Sequence, residues 1–99
     1  MELTDENLPK LLEDSTGFII VDFWSPTCGP CLMLNPVMEQ VGRDELVVKV
    51  DVTKNPQSAA FFKINAVPTI IFFKDGKIVD KKLGYYSEVQ LKEIIGKLK

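Results

Sequence analysis

The sequence predicts a single α/β domain spanning residues 1–99, with helices on both faces of a mixed four-stranded sheet. Three observations carry this. An almost unbroken apolar run, Phe18 to Trp24, has the character of a strand buried on both sides. An apolar helical segment and a second strand follow it, which makes a βαβ unit with parallel strands and a right-handed crossover. Two later strands joined by Asp75-Gly76 form a hairpin ahead of a capped helix, a ββα unit.

In order along the chain, Asp5 to Glu13 reads as a first helix, with Thr4 as its N-cap and Pro9 tolerable only near the first turn. Phe18 to Trp24 is the central strand. The segment Ser25-Pro26-Thr27-Cys28-Gly29-Pro30-Cys31 leads into a helix from about Cys31 to Gly42, which Pro36 should kink. Leu46 to Val52 is the second strand, with Val48, Val50 and Val52 on one face and Lys49 and Asp51 on the other. Asn55-Pro56 opens a short helix reaching Phe62. Thr69 to Lys74 and Lys77 to Leu83 are the hairpin strands. Ser87 starts the last helix, and Gln90 three residues on completes a capping box. Leu91, Ile94, Ile95 and Leu98 form that helix's apolar stripe, with Val89 on its flank. Three residues before Thr4 leave room for a short fifth strand at the sheet edge.

Composition narrows the function. A hydrophobic share of 45% with 26% charged residues is an ordinary globular balance and argues against disorder. There is no histidine, so Ser-His-Asp and Cys-His chemistry and imidazole metal ligation are excluded. Two cysteines cannot close a structural zinc site within one chain, and no metal site is read here. Residues 1–51 carry a net −7 and residues 52–99 a net +5, giving −2 in all. That reads as two solvated faces, or as a polarised surface that steers partners, and gives no global sign of nucleic-acid binding. The acidic opening Met1-Glu2-Leu3-Thr4-Asp5-Glu6 lacks the apolar stretch of a signal peptide, and Phe18–Trp24 is too short to span a membrane. The location expected is the cytosol, where paired cysteines are more often catalytic or metal-binding than structural.

Cys28-Gly29-Pro30-Cys31 stands where the buried strand ends and a helix begins. Helical positions i and i+3 have Cβ atoms about 5–6 Å apart. A disulfide needs about 3.8 Å, so a small local adjustment closes or reopens it without unfolding the chain. Free N–H groups and the helix dipole stabilise a thiolate at Cys28, whose pKa should fall below the free value of about 8.5. Cys28 lies at the exposed start and is the better nucleophile. Cys31, one turn in, is the more buried, resolving thiol. Pro30 suits the first helical turn. Half of a zinc site shared between two chains, an inert link and chance spacing are alternatives, but the strand-to-helix position in this order of elements favours a redox dithiol.

Other residues read more blandly by themselves. Asp22 is out of place in an apolar strand, where burial should raise its pKa or backbone groups should satisfy it. Lys49 is a snorkelling surface lysine, and Pro68 marks a trans edge or turn. Trp24 is a core-edge aromatic, Gly84 a bend, and Tyr85 and Tyr86 are core or rim residues.

The run Val21-Asp22-Phe23-Trp24-Ser25-Pro26-Thr27-Cys28-Gly29-Pro30-Cys31 resembles the active-site segment of the thioredoxin family. The likeness continues through Pro36, Lys49-Val50-Asp51, Asn55-Pro56, Val67-Pro68-Thr69, Phe73-Lys74-Asp75-Gly76 and Gly84, nearly the whole chain. The resemblance implies the thioredoxin fold and a low-potential protein-disulfide reductase that works as a monomer and needs no bound cofactor. Its partners would be disulfide-containing proteins and a flavin-containing thioredoxin reductase supplied by NADPH, with neither nucleic acid nor membrane. Cys28 and Cys31 would be the redox disulfide, set in an active-site loop with Trp24, Thr27, Gly29 and Pro30. Asp22 would take the proton of Cys31 through water, with Lys49 nearby. Pro68 would be cis and face the cysteines, and the Val67 backbone would pair with an extended substrate segment, near Gly84 and Tyr85. Two positions depart from the pattern. Thr27 stands where most thioredoxins have tryptophan, and Leu32 where lysine is common. The rim is thus less aromatic and less basic. That keeps open a thioredoxin-fold module dedicated to one partner or serving as a binding subunit.

Overall fold

In a computed structural model describing residues 1–99, the elements run α1 (Asn7–Asp14), β1 (Phe18–Trp24), α2 (Gly29–Val41), β2 (Leu46–Asp51), α3 (Pro56–Phe61), β3 (Thr69–Lys74), β4 (Lys77–Leu83) and α4 (Glu88–Leu98). The sheet order is β2-β1-β3-β4. β1 pairs in parallel with β2, Asp22 facing Lys49, and antiparallel with β3, Asp22 facing Ile70. β3 and β4 are antiparallel, with an irregularity between Phe72 and Phe73. The sheet has four strands, and the residues before Thr4 add only a single parallel bridge, Glu2 to Lys49.

Alternation along the strands divides the apolar residues between two layers. Val21, Phe23, Val48, Val50, Ile71 and Phe73 pack with Leu8 and Leu12 of α1. Ile20, Ile70 and Phe72 pack with Leu34, Met38 and Val41 of α2 and Leu91 and Ile95 of α4. Phe23 and Phe72 are wholly buried, one in each layer. Burial of such a side chain contributes about 1.5–3 kcal/mol. Because β1 is central and covered on both faces, its end at Trp24 is a rigid platform for the loop that follows.

Element ends differ from the sequence reading where side chains redirect the backbone. α1 begins at Asn7 rather than Asp5. The Thr4 hydroxyl accepts from the N–H groups of Glu6 (3.3 Å) and Asn7 (3.4 Å), closing a turn ahead of the helix. Asp5 is instead drawn to α3: its N–H donates to Asn55 Oδ1 (2.9 Å), and its carboxylate accepts from the N–H groups of Ser58 (2.7 Å) and Gln57 (3.2 Å). It therefore does the N-capping that Asn55 does not. α2 begins two residues early because the Cys28 side chain is its cap, and it continues through Pro36. β2 stops at Asp51, whose carboxylate turns back to Thr53 N–H (2.9 Å) and Oγ1 (2.6 Å). α3 stops at Phe61, one residue short of the reading. β3, β4 and the Ser87–Gln90 capping box stand where the sequence puts them. At the hairpin, Asp75 (φ 52°) and Gly76 (φ 81°) both adopt positive φ, and the Asp75 carboxylate accepts from Gly17 N–H at 2.7 Å.

Desolvation works against the Asp5 carboxylate, but the hydrogen bonds from Ser58 and Gln57 outweigh it and hold its pKa below 3.8. Its stabilising effect is thus present above the unfolded value and lost as pH falls through the folded one. Asp5→Ala is expected to lower the thermal midpoint at neutral pH, with the gap from the parent closing in strong acid. Melting curves at both pH values check this, and a gap unchanged in acid would count against the cap.

Candidate active site

The redox loop is built by local hydrogen bonds leaving β1. Ser25 is buried, and its Oγ lies 3.1 Å from Thr27 Oγ1 and accepts from Thr27 N–H at 3.3 Å. Its carbonyl accepts from Cys28 N–H at 3.2 Å. The Thr27 side chain is therefore tied back to the loop. Cys28 has extended backbone (φ −94°, ψ 111°) and its Sγ accepts from Cys31 N–H at 3.2 Å. Gly29 and Pro30 form the first helical turn, where a missing N–H costs nothing.

Cys28 and Cys31 form a disulfide with Cα atoms 5.2 Å apart. Their environments differ. Cys31 is 0% exposed, whereas Cys28 is partly exposed at the head of the helix. Beside Cys28 runs the Val67–Pro68 segment, whose peptide bond is cis, the form the resemblance implies. The Val67 carbonyl oxygen lies 3.6 Å from Cys28 Sγ. A disulfide sulfur carries no proton, so this is a contact in the oxidised protein. Neither the N–H nor the carbonyl of Val67 has a backbone partner. Pro68 is buried, and its carbonyl accepts from Gly84 N–H at 2.8 Å. Gly84 has φ +97° with nothing within 4 Å of a Cβ added there, so backbone conformation and not crowding requires glycine. Tyr85 is exposed and Tyr86 packs beside the α2–α4 core layer.

Asp22 lies two residues before the end of β1, on the side of the strand that faces α2. It is 0% exposed, and neither carboxylate oxygen has a protein hydrogen-bond partner. Burial pushes its pKa up to about 7; the Lys49 charge opposes the rise and Glu2 adds to it. Lys49 stands across from Asp22 in the register, but its ammonium donates to Asn35 Oδ1 at 2.7 Å and lies 4.1 Å from the centre of the Trp24 ring. The Trp24 Nε1 is buried without a partner.

The structure thus brings Cys28, Cys31, Val67, Pro68 and Gly84 to one end of the sheet, with Asp22, Lys49 and Trp24 just beneath. The sequence reading missed Asn35. Its signal was present: the single polar side chain in the otherwise apolar stretch from Leu32 to Met38, one turn after Cys31. The rim carries Leu32 and Met33, 48% and 63% exposed. A groove of about 560 Å³ lies elsewhere, between α1, α3 and the hairpin, and contains neither cysteine. No helix is long and apolar enough to cross a membrane.

Comparison with known proteins agrees with this geometry. The thioredoxin family model matches residues 1–97. The chain is 40% identical to a thioredoxin of Staphylococcus saprophyticus, an alignment covering 98% of this chain and 95% of that protein. It is 37% identical to a thioredoxin of Listeria monocytogenes, over 97% and 95% of the two chains. A disulfide pair at a helix N-terminus, on this sheet and with this likeness along its whole length, has one reading: the chain belongs to the thioredoxin family and is a thiol–disulfide oxidoreductase.

Proposed function

We propose that the chain is a cytosolic protein-disulfide reductase acting as a monomer. The observation that carries the reading is the asymmetry of the pair, with Cys28 accessible at the helix N-terminus and Cys31 wholly buried one turn later. The Cys28 thiolate, stabilised by helix N–H groups, attacks a target disulfide. One target sulfur leaves as a thiolate and a mixed disulfide forms. Cys31 gives its proton to Asp22 by way of water, attacks Cys28 Sγ and displaces the second target thiolate. The target gains two electrons and the pair becomes the Cys28–Cys31 disulfide. An Asp22 pKa near neutrality suits a group that must take and return a proton. Lys49 limits the rise caused by burial. The unpaired Val67 N–H and carbonyl would hold an extended target segment as an added strand, with Pro68, Gly84 and Tyr85 shaping the groove. The protein carries no cofactor in this reading, and a flavin-containing reductase fed by NADPH restores the dithiol.

Insulin reduction is the test, first with dithiothreitol and then with NADPH and a thioredoxin reductase. Turnover in both formats is expected. Turnover with dithiothreitol alone would favour a dedicated reductase or target, the reading that exposed Leu32 and the tethered Thr27 keep alive. Failure in both, with Cys28→Ser still binding a partner, would favour a binding module. A reduction potential near about −120 mV would make the protein an oxidant and overturn the proposal.

A further inference from the structure

Asn35 has no part in the chemistry above, yet it is well placed to govern it. It lies four residues after Cys31, so it shares the face of α2 that turns toward the sheet. Its Oδ1, 2.7 Å from Lys49 Nζ, is the only protein hydrogen-bond acceptor of that ammonium, which forms no salt bridge. Lys49 is half-buried and stands opposite Asp22 across the parallel pair. The ammonium is thus held between an amide oxygen and the Trp24 ring, on the strand position that faces the buried, unpaired Asp22 carboxyl group.

We propose that Asn35 is a positioning residue of the redox site, fixing the Lys49 ammonium beside Asp22 and so setting how readily Asp22 takes up a proton. The proposal deepens the proton-transfer role given to Asp22 and rests on it for its catalytic consequence. Its physical core, the coupling of Asn35 to Asp22 through Lys49, stands apart from that role.

The direction follows from the surroundings. A cleft of about 320 Å³ lined by Met1, Asn35, Glu39, Arg43 and Lys49 opens to solvent next to the ammonium. Without the Asn35 oxygen, three N–H donors have no protein acceptor, and water in that cleft draws the flexible side chain outward. Asp22 then loses the cation that favours its charged form. The other groups facing Asp22 do not replace it. The N-terminal bridge brings Glu2, which acts in the opposite sense. α2 brings the cysteine pair and apolar Leu34 and Met38; β3 brings Ile70 and Phe72; α4 brings Leu91 and Ile95.

The test is direct titration of the Asp22 side-chain carboxyl carbon by NMR in the oxidised protein, where the cysteines do not titrate. Asn35→Ala, and Asn35→Leu as a variant of matched volume should the alanine variant fold poorly, are expected to raise its midpoint by about half a pH unit, a threefold gain in proton affinity, or more. Lys49→Met is expected to raise it at least as far, and in that background Asn35→Ala should have no further effect. An unmoved or lowered midpoint in the Asn35 variants, or the same shift with Lys49 absent, would overturn the proposal. The pH profile of disulfide reduction separates the two ideas. A midpoint that moves while the profile does not would leave the positioning intact and remove Asp22 from the proton path.

Discussion

Cys28→Ser is expected to abolish disulfide reduction, by on the order of 10³-fold or more, while Cys31→Ser stops halfway and retains its target as a mixed disulfide. The difference comes from where the helix puts each sulfur. Cys28 is the N-cap of α2, partly exposed, and its Sγ already accepts the Cys31 N–H at 3.2 Å. A thiolate there is stabilised by the charge distribution of the helix end, whereas a serine hydroxyl in the same place stays protonated and is a poor nucleophile. Cys31 has no exposed surface, so no protein disulfide can reach it before Cys28 has reacted. Mass spectrometry of each variant incubated with an oxidised target under non-reducing conditions checks this. A covalent adduct on Cys31 in Cys28→Ser would reverse the roles and defeat the mechanism.

Asp22→Asn is expected to make the oxidised protein more stable, by an amount that grows with pH. The carboxyl group has a pKa of about 7 in the fold against 3.8 unfolded. Between those values the folded state binds the extra proton, so stability falls as pH rises. The penalty is absent below about pH 4 and complete above about pH 7 to 8. At about 1.4 kcal/mol per unit, a rise from 3.8 to about 7 corresponds to a penalty on the order of 4 kcal/mol. Asparagine cannot ionise, so the variant escapes it. Urea unfolding of the oxidised forms at pH 5 and pH 8 measures the effect, and an equal difference at both would mean that Asp22 is not the titrating group. The same substitution is expected to slow the Cys31 step. Perturbed titratable groups concentrate at working sites, and a carboxyl group carrying such a cost fits the proton-transfer role proposed for Asp22.

Much of this was legible in the chain. β3 and β4 are bounded by strong local signals: proline before Thr69, Asp75-Gly76 between the strands and Gly84 after them. The capping box of α4 is equally local, since Ser87 and Gln90 are three residues apart. Boundaries were less legible where the deciding partner was remote. Asp5 looks like the first turn of α1, but its hydrogen bonds are to residues 50 to 53 positions away. Nothing near Asp5 in the sequence announces that. The site divides in the same way. Cys28, Cys31 and the strand-to-helix junction they occupy are contiguous, so the difference in exposure between the two sulfurs followed from helix geometry alone. Asn35 and Lys49 are 14 residues apart, and only the packing of α2 against the sheet brings an amide oxygen to that ammonium.

By itself, then, the sequence determined the α/β class, the order of elements, the redox pair and the anomaly of a carboxylate in a buried strand. These depend on periodicity, capping and spacing within a few residues, where backbone geometry is nearly independent of the rest of the chain. Tertiary structure alone decided that Asp22 has no partner, that Lys49 serves Asn35 and Trp24 instead of pairing with it, and that Val67 is left unpaired beside Cys28. Those are properties of surroundings. Desolvation and charge act through space, and the groups that exert them on Asp22 come from β2, from α2 and from the N-terminal bridge, elements that only the folded sheet brings together.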